Sequence, residues 1–200
     1  MTVVWTVGVR ASSLTEQIPA ERDAFGRLHV DRNLKVIGQD DVFATGDTAY
    51  AATDDEGNFA LMTCQHAIAL GRSAGNNVAA DLLGEAPIPY SQVKYVTCLD
   101  LGAWGAVYTE GWDRQVKLIK DEAKALKRQI NSVWIYPPVA DRTSALAAAD
   151  PSIPVARPHT SCTGLSRFFR DGLFSWKAGR RHAGHSATLH ADCRVRITRA

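Results

Sequence analysis

A glycine followed directly by an aspartate gives this chain its clearest candidate for ligand binding. Gly46 and Asp47 come at the end of a short apolar run, residues 41–45. Glycine lets a backbone approach a ligand closely, and a carboxylate at that point accepts hydrogen bonds from sugar-like hydroxyl groups. Because Gly-Asp is also common turn chemistry, the pair predicts a binding site only together with the segments around it.

Those segments form a longer pattern. Residues 26–31 read Gly-Arg-Leu-His-Val-Asp, residues 34–36 read Leu-Lys-Val, and the run that ends in Gly46 and Asp47 follows. The whole pattern, within residues 1–60, resembles the second flavin-binding signature of the pyridine nucleotide-disulfide oxidoreductase superfamily, the two-dinucleotide flavoproteins. The resemblance implies that Asp47 binds a ribityl hydroxyl of FAD and that Gly46 lets the backbone approach it.

The start of a predicted long helix supplies the next candidates. In the superfamily this helix end points at the flavin ring, and the resemblance places four residues beside the isoalloxazine: Thr63, Cys64, Gln65 and His66. A helix N-terminus carries roughly half a positive charge, which stabilises the negative charge of a reduced flavin. From the residues alone, Thr63 is equally an N-cap and His66 a surface residue of the helix.

The cysteines offer a second kind of redox chemistry. A cysteine near a flavin, such as Cys64, is typical of disulfide reductases and sulfide:quinone oxidoreductases. Those enzymes use paired cysteines, whereas Cys64 and Cys98 lie far apart in the sequence and form no C-x-x-C motif. We therefore predict that Cys64 is buried and inert.

Three further stretches resemble type II NADH dehydrogenases. Residues 5–10 read Trp-Thr-Val-Gly-Val-Arg, like the segment where that family's chain returns from the NADH domain to the FAD domain. The resemblance puts Gly8 close to nicotinamide or flavin, although a strand that ends in a glycine turn explains it equally well. Residues 95–112 and 134–138 resemble the C-terminal part of NADH dehydrogenase-like FAD proteins, and the likeness extends to about residue 150.

The implied reaction is hydride transfer from NADH to FAD, followed by electron transfer to a quinone or similar small acceptor. No G-x-G-x-x-G fingerprint occurs in the 200 residues, although each dinucleotide needs one. We interpret the chain as the C-terminal portion of such an enzyme, with the main NAD(P)H site outside it. Two alternatives stay open: a catalytically incompetent remnant or interaction domain, and a ferredoxin-reductase-like flavoprotein.

The two parts of the chain, residues 1–150 and 151–200, differ in the sign of their net charge. Residues 1–150 hold 14 Lys and Arg against 19 Asp and Glu, whereas residues 151–200 hold 9 against 2. We interpret 151–200 as a disordered or non-native tail, and favour a reading-frame slip in its coding sequence. The alternative is a membrane-surface helix around its apolar cluster: Phe168, Phe169, Leu173, Phe174 and Trp176. We expect a cytoplasmic protein with peripheral contact on the inner face of the membrane, and no nucleic-acid partner.

Periodicity predicts an α/β fold. Residues 1–86 are expected to form the C-terminal part of a Rossmann-like FAD-binding domain, and residues 87–150 a small α+β subdomain with a β-hairpin. Predicted strands span 2–7, 41–45, 95–109 (the hairpin) and 115–119, and predicted helices span 61–83, 120–135 and 141–149. The stretches 11–26 and 50–58 read as loops.

The long helix carries two rows of residues at helical spacing. One is apolar: Ala67, Leu70, Ala74, Val78 and Leu82. The other is small: Ala67, Gly71, Gly75 and Ala79. The small row predicts close packing, equally against a sheet or against a cofactor, and Gly84 predicts the end of the helix.

Overall fold

The computed structural model describes residues 8–155, a mixture of helices and short strands. In chain order the elements are β1 (Leu28–His29), β2 (Ala49–Tyr50), α1 (Cys64–Leu83), β3 (Val96–Asp100), β4 (Ala106–Glu110), β5 (Gln115–Ile119), α2 (Lys120–Gln129) and α3 (Arg142–Ala148). The predicted strand 2–7 and the tail beyond residue 155 lie outside the described residues. The mixed α and β content is confirmed, and the partial Rossmann-like domain stays a prediction.

Strands β1 and β2 pair in parallel, with Leu28 opposite Ala49. Small and branched apolar side chains pack around this pair to form one buried cluster: Leu28, Val36, Ala44 and Ala49. The pairing brings the chain directly after Gly46 and Asp47 into the core. The turn at Gly46 and Asp47 is therefore anchored at its C-terminal side by β2.

The predicted strand at 41–45 is wrong. That segment makes one isolated bridge, between Phe43 and Lys35, with two backbone bonds: Val36 N–H donates to the Val42 carbonyl and Ala44 N–H to the Leu34 carbonyl. Leu34 has a φ of 67°, so the backbone turns sharply there and offers only a short partner. A ladder needs a longer extended neighbour than this.

Helix α1 confirms the predicted long helix, although it begins at Cys64 rather than Leu61. Gly84 ends it in the left-handed conformation, with φ of 71°, and its N–H donates to the carbonyls of Ala80 and Asp81. This is the predicted glycine C-cap.

The buried face of α1 differs from the predicted apolar stripe. Val78 and Leu82 are 37% and 82% exposed. The buried side chains follow the same helical period on a rotated face, and half are polar: His66, Leu70, Ser73, Ala74, Asn77 and Ala80. Asn77 is tolerated inside because its amide donates to the Asn33 and Ile88 carbonyls and accepts from Ile88 N–H, each at 2.9 Å.

The small-residue row of α1 is largely open. Gly71, Gly75 and Ala79 are exposed, so the interpretation that this row packs against a sheet is wrong. A Cβ built on Gly71 would lie 3.9 Å from Thr45 Oγ1. The open face therefore begins beside the segment that leads into Gly46.

Helix α3 lies against this face through one side chain. Arg72 donates from Nε to the Ala148 carbonyl at 2.7 Å and from Nη1 to the Ile153 carbonyl at 3.2 Å. Asp141 caps α3 by accepting from Ser144 N–H at 2.9 Å, which confirms the predicted N-cap.

Strands β3, β4 and β5 form an antiparallel sheet that confirms the predicted hairpin and the strand 115–119. Helix α2 covers one face of it, where Ala123 packs against Ala106 and Tyr108. A π-helical turn over Ile130–Trp134 continues α2, so the predicted helix over 120–135 is confirmed apart from its final residue.

Candidate functional site at the start of α1

The Gly46–Asp47 turn lies against the first turn of α1. Gly46 has a φ of 61°, and a Cβ built on it would lie 3.7 Å from Ala67 Cβ. The side chain of Asp47 is exposed, and within residues 8–155 its carboxylate has neither an ion pair nor a hydrogen bond. A turn that carries a free, exposed carboxylate thus lies against the first turn of a 20-residue helix.

That helix end is uncapped. Thr63 occupies the N-cap position, but its side chain makes no capping bond to the helix backbone. Its carbonyl accepts from Ala67 N–H at 2.9 Å. The N–H groups of the first turn are left as donors, and they carry the positive end of the helix dipole. Such an end attracts a partial negative charge.

His66 is turned inward. Its Nδ1 lies 2.9 Å from Thr63 Oγ1, and its exposed fraction is 0%, so the interpretation of His66 as a surface residue is wrong. Burial lowers the pKa of His66 from 6.5 to about 4, which keeps the ring neutral at pH 7. A side chain with no exposed surface reaches a ligand only through a neighbour, and here that neighbour is Thr63.

Two aromatic rings enclose His66. Its ring centroid lies 5.7 Å from that of Tyr95 and 6.0 Å from that of Trp112, and those two stack at 4.5 Å. His66 Nε2 and Trp112 Nε1 are both buried and have no partner among the described protein atoms. The three rings attach the hairpin region to the start of α1, and we call them the aromatic cluster.

Gln65 and Cys64 are neighbours in sequence but lie in different environments. The Gln65 amide donates to the Val96 carbonyl at 2.7 Å and accepts from Val96 N–H at 3.3 Å, so it is committed to β3. Cys64 is exposed, and the prediction that it is buried is wrong because it is the first residue of α1, on the open helix end. Cys98 is half-buried, and burial raises the pKa of its thiol.

The structure therefore brings together the Gly46–Asp47 turn and residues 63–66. Gly8 belongs to a separate unit of the chain; it is exposed, with φ of 130°. Sequence reasoning missed the aromatic cluster. The available signal was Tyr95 and Trp112 on two neighbouring stretches that were expected to form one hairpin region.

The described residues hold neither a metal-binding cluster nor a membrane-spanning helix. Between residues 8 and 155 no group of three or more His, Cys, Asp or Glu side chains is placed to hold a metal ion. No helix in that range is long and apolar enough to cross a bilayer.

Comparison with known proteins finds relatives of similar sequence. No protein-family model matches the chain, but it is similar to curated NADH dehydrogenase-like proteins. It is 50% identical to the NADH dehydrogenase-like protein Rv1812c of Mycobacterium tuberculosis over 153 residues, which are 76% of this chain and 38% of the relative.

More distant relatives carry narrower names. A type II NADH:quinone oxidoreductase of Staphylococcus epidermidis is 33% identical over 138 residues, 68% of this chain and 33% of the relative. The demethylphylloquinone reductase NdbB of Synechocystis is 31% identical over 105 residues, 52% of this chain and 26% of the relative. The chain thus spans well under half the length of the relatives it matches.

Proposed function

We propose that this chain is the C-terminal share of a flavin-dependent NAD(P)H dehydrogenase that passes electrons from NADH through FAD to a quinone or similar acceptor. The observation that carries the proposal is the Gly46–Asp47 turn, which carries a free carboxylate and lies against the uncapped first turn of α1. The names of the relatives, which include quinone reductases, support the choice of acceptor.

The residues fit FAD in three respects. Gly46 adopts a φ of 61°, which residues with a side chain rarely adopt. Its backbone therefore faces the proposed ligand with no side chain between them. Asp47 is an unengaged acceptor for ribityl hydroxyls. Thr63 and the first-turn N–H groups are donors for a ring edge that gains negative charge on reduction. FAD itself supplies the hydride and electron chemistry.

The other assignments are proposals of the same kind. Residues 1–86 would complete the FAD-binding domain and residues 87–150 would form the α+β subdomain, with 151–200 a tail. Gly8 would lie near the nicotinamide or flavin, and NAD(P)H would bind mainly through a part of the protein other than this chain. We propose peripheral contact with the inner face of the membrane, because a quinone acceptor is a lipid-soluble molecule.

One observation favours a second candidate, a catalytically incompetent remnant or interaction domain. The 200 residues hold no G-x-G-x-x-G loop, so the chain lacks the usual cradle for a pyrophosphate. Such a protein would keep the turn at Gly46 and the helix behind it but retain no flavin.

A titration separates the two candidates. The purified chain is titrated with FAD while flavin fluorescence and visible absorbance are followed, for wild type, Asp47→Ala and the control Asp40→Ala, an exposed acid outside the site. Loss of a charged hydrogen bond should weaken binding about tenfold or more in Asp47→Ala alone. Equal affinities would refute the proposed site, and no binding by wild type would favour the remnant.

A further inference from the structure

The aromatic cluster contains two unexplained buried atoms. His66 Nε2 and Trp112 Nε1 lie out of contact with solvent and have no partner among the described protein atoms. Buried nitrogens are almost always hydrogen-bonded, so each such atom calls for an explanation. The indole Nε1 is a donor only, whereas the imidazole Nε2 is a donor in one neutral tautomer and an acceptor in the other.

The tautomer decides how the two atoms are satisfied. With the proton on Nε2, His66 and Trp112 present two buried donors and no acceptor, and each unmet donor carries the full cost of leaving water. With the proton on Nδ1, Nε2 becomes an acceptor in the same cluster as the indole donor. The cluster then holds one donor and one acceptor of opposite polarity, whereas with Nε2–H it holds two donors, which repel each other and require any shared partner to accept twice.

The contact at Nδ1 is compatible with either arrangement. Thr63 Oγ1 lies 2.9 Å away, and a hydroxyl both donates and accepts. The same hydroxyl makes no capping bond to α1, so its oxygen is not engaged by a backbone N–H and is free to accept from Nδ1–H. The matching of buried donors and acceptors therefore favours the tautomer with Nδ1–H.

We propose that His66 is a positioning residue, protonated at Nδ1, which donates to Thr63 and so frees the Thr63 hydroxyl proton for a bound ligand. The acceptor for the Thr63 hydroxyl proton would be an oxygen or nitrogen lone pair, such as that of a flavin carbonyl or ring nitrogen. This extension rests on the proposed function for the identity of the ligand. The tautomer itself depends only on this chain.

The first test needs no flavin. Nitrogen-15 NMR of the imidazole in the whole chain distinguishes the two neutral tautomers, and we expect Nδ1–H for His66 from pH 6 to 8. Thr63→Val removes the acceptor and should shift His66 towards Nε2–H, whereas Thr15→Val, a buried hydroxyl elsewhere, should leave it unchanged. A wild-type His66 protonated at Nε2 would overturn the proposal.

Two pairs of substitutions distinguish a positioning role of His66 from a packing role. An asparagine amide reproduces the Nδ1 donor and a glutamine amide reproduces Nε2, so His66→Asn should keep the flavin reduction potential nearer to wild type than His66→Gln. Thr63→Ser should match wild type and Thr63→Val should lower the potential. If these four variants share one potential in flavin-loaded protein, the role for Thr63 fails.

Failure of the proposed function and failure of the tautomer assignment give different results. If the chain retains no flavin but the NMR shows Nδ1–H, the tautomer assignment stands and the proposed function fails. If flavin binds and depends on Asp47 but His66 carries its proton on Nε2, the proposed function stands and this inference fails. Circular dichroism of each variant identifies any that does not fold, and the wild-type spectrum then decides the tautomer alone.

Discussion

Gln65, in the first turn of α1, is joined to Val96, the first residue of β3, by a pair of hydrogen bonds through one side-chain amide. The amide pairs with both backbone groups of Val96, as a neighbouring strand would. The hairpin is therefore fixed to the same helix turn that carries Thr63 and His66. Movement of the hairpin and movement of the candidate site are mechanically linked.

Removal of this contact should loosen the hairpin first. We expect Gln65→Ala to lower the free energy of unfolding by about 2 kcal/mol, because two part-buried bonds are lost. Hydrogen exchange should rise in β3 more than in the C-terminal half of α1. Gln129→Ala is the control, because the Gln129 side chain makes no hydrogen bond to the residues between 8 and 155. Equal effects of the two variants on stability and exchange would contradict this account.

The sequence predicted most elements of this chain because their signals are local. The α1 pattern ends at Gly84, the hairpin contains its turn glycines, and Asp141 precedes α3 as an N-cap. Each of these features is decided by residues within a few positions of one another. The predicted strand at 41–45 failed because pairing depends on a partner in space, and the turn at Leu34 leaves only a short one.

The site was predicted less completely, for a related reason. Residue type alone favours the surface for Asn77 and an intermediate position for His66, yet both are fully buried. Their partners include Asn33, Tyr95 and Trp112, far along the chain, so no local window reveals them. The spacing His66, Leu70, Ser73, Asn77 and Ala80 does follow a helical period, and a search that admitted polar residues to the core would have found it.

Asn77 should be among the most sensitive positions of α1. Asn77→Ala leaves Ile88 N–H and two carbonyls without their partner in a fully buried site. We expect a loss of about 3 kcal/mol in the free energy of unfolding, measured by urea denaturation. Asn76→Ala is the control: among the described residues its half-buried side chain donates only to Asn77 Oδ1, at 3.2 Å, so this variant removes one outlying bond and leaves Asn77 paired with Asn33 and Ile88. A smaller loss for Asn77→Ala than for this control would show that the network carries little stability.

His66 should make stability depend on pH. The unfolded chain binds a proton at an ordinary histidine pKa of 6.5, whereas the folded chain does so only at about 4. Stability is therefore complete above pH 6.5 and declines as pH falls towards 4, by at most about 3 kcal/mol. His66→Asn lacks this group, so its free energy of unfolding should change less between pH 7 and 4.5. Parallel curves for the two proteins would mean that His66 takes up its proton as readily in the folded chain as in the unfolded one.

The two described cysteines should differ in reactivity. Cys64 is exposed at the start of α1, whereas burial raises the pKa of the half-buried Cys98 thiol. The thiolate is the reactive form, so iodoacetamide at pH 8 should alkylate Cys64 about tenfold faster or more. Peptide mass spectrometry resolves the sites, and Cys64→Ala confirms the fast one. Faster labelling of Cys98 would indicate that the hairpin opens in solution.

Gly105 is where the hairpin region tolerates a side chain least. A Cβ built there would lie 2.5 Å from Lys120 Cα, and the residue has a φ of 118°. Both the clash with backbone and the strained φ oppose any substitution, so Gly105→Ala should cost about 3 kcal/mol. Gly102 lies in the same hairpin with φ of 65° and open space around it, and Gly102→Ala should cost only about 1 kcal/mol. Thermal unfolding of both variants checks the difference, and a cheaper Gly105→Ala would mean that β4 and the start of α2 do not approach this closely.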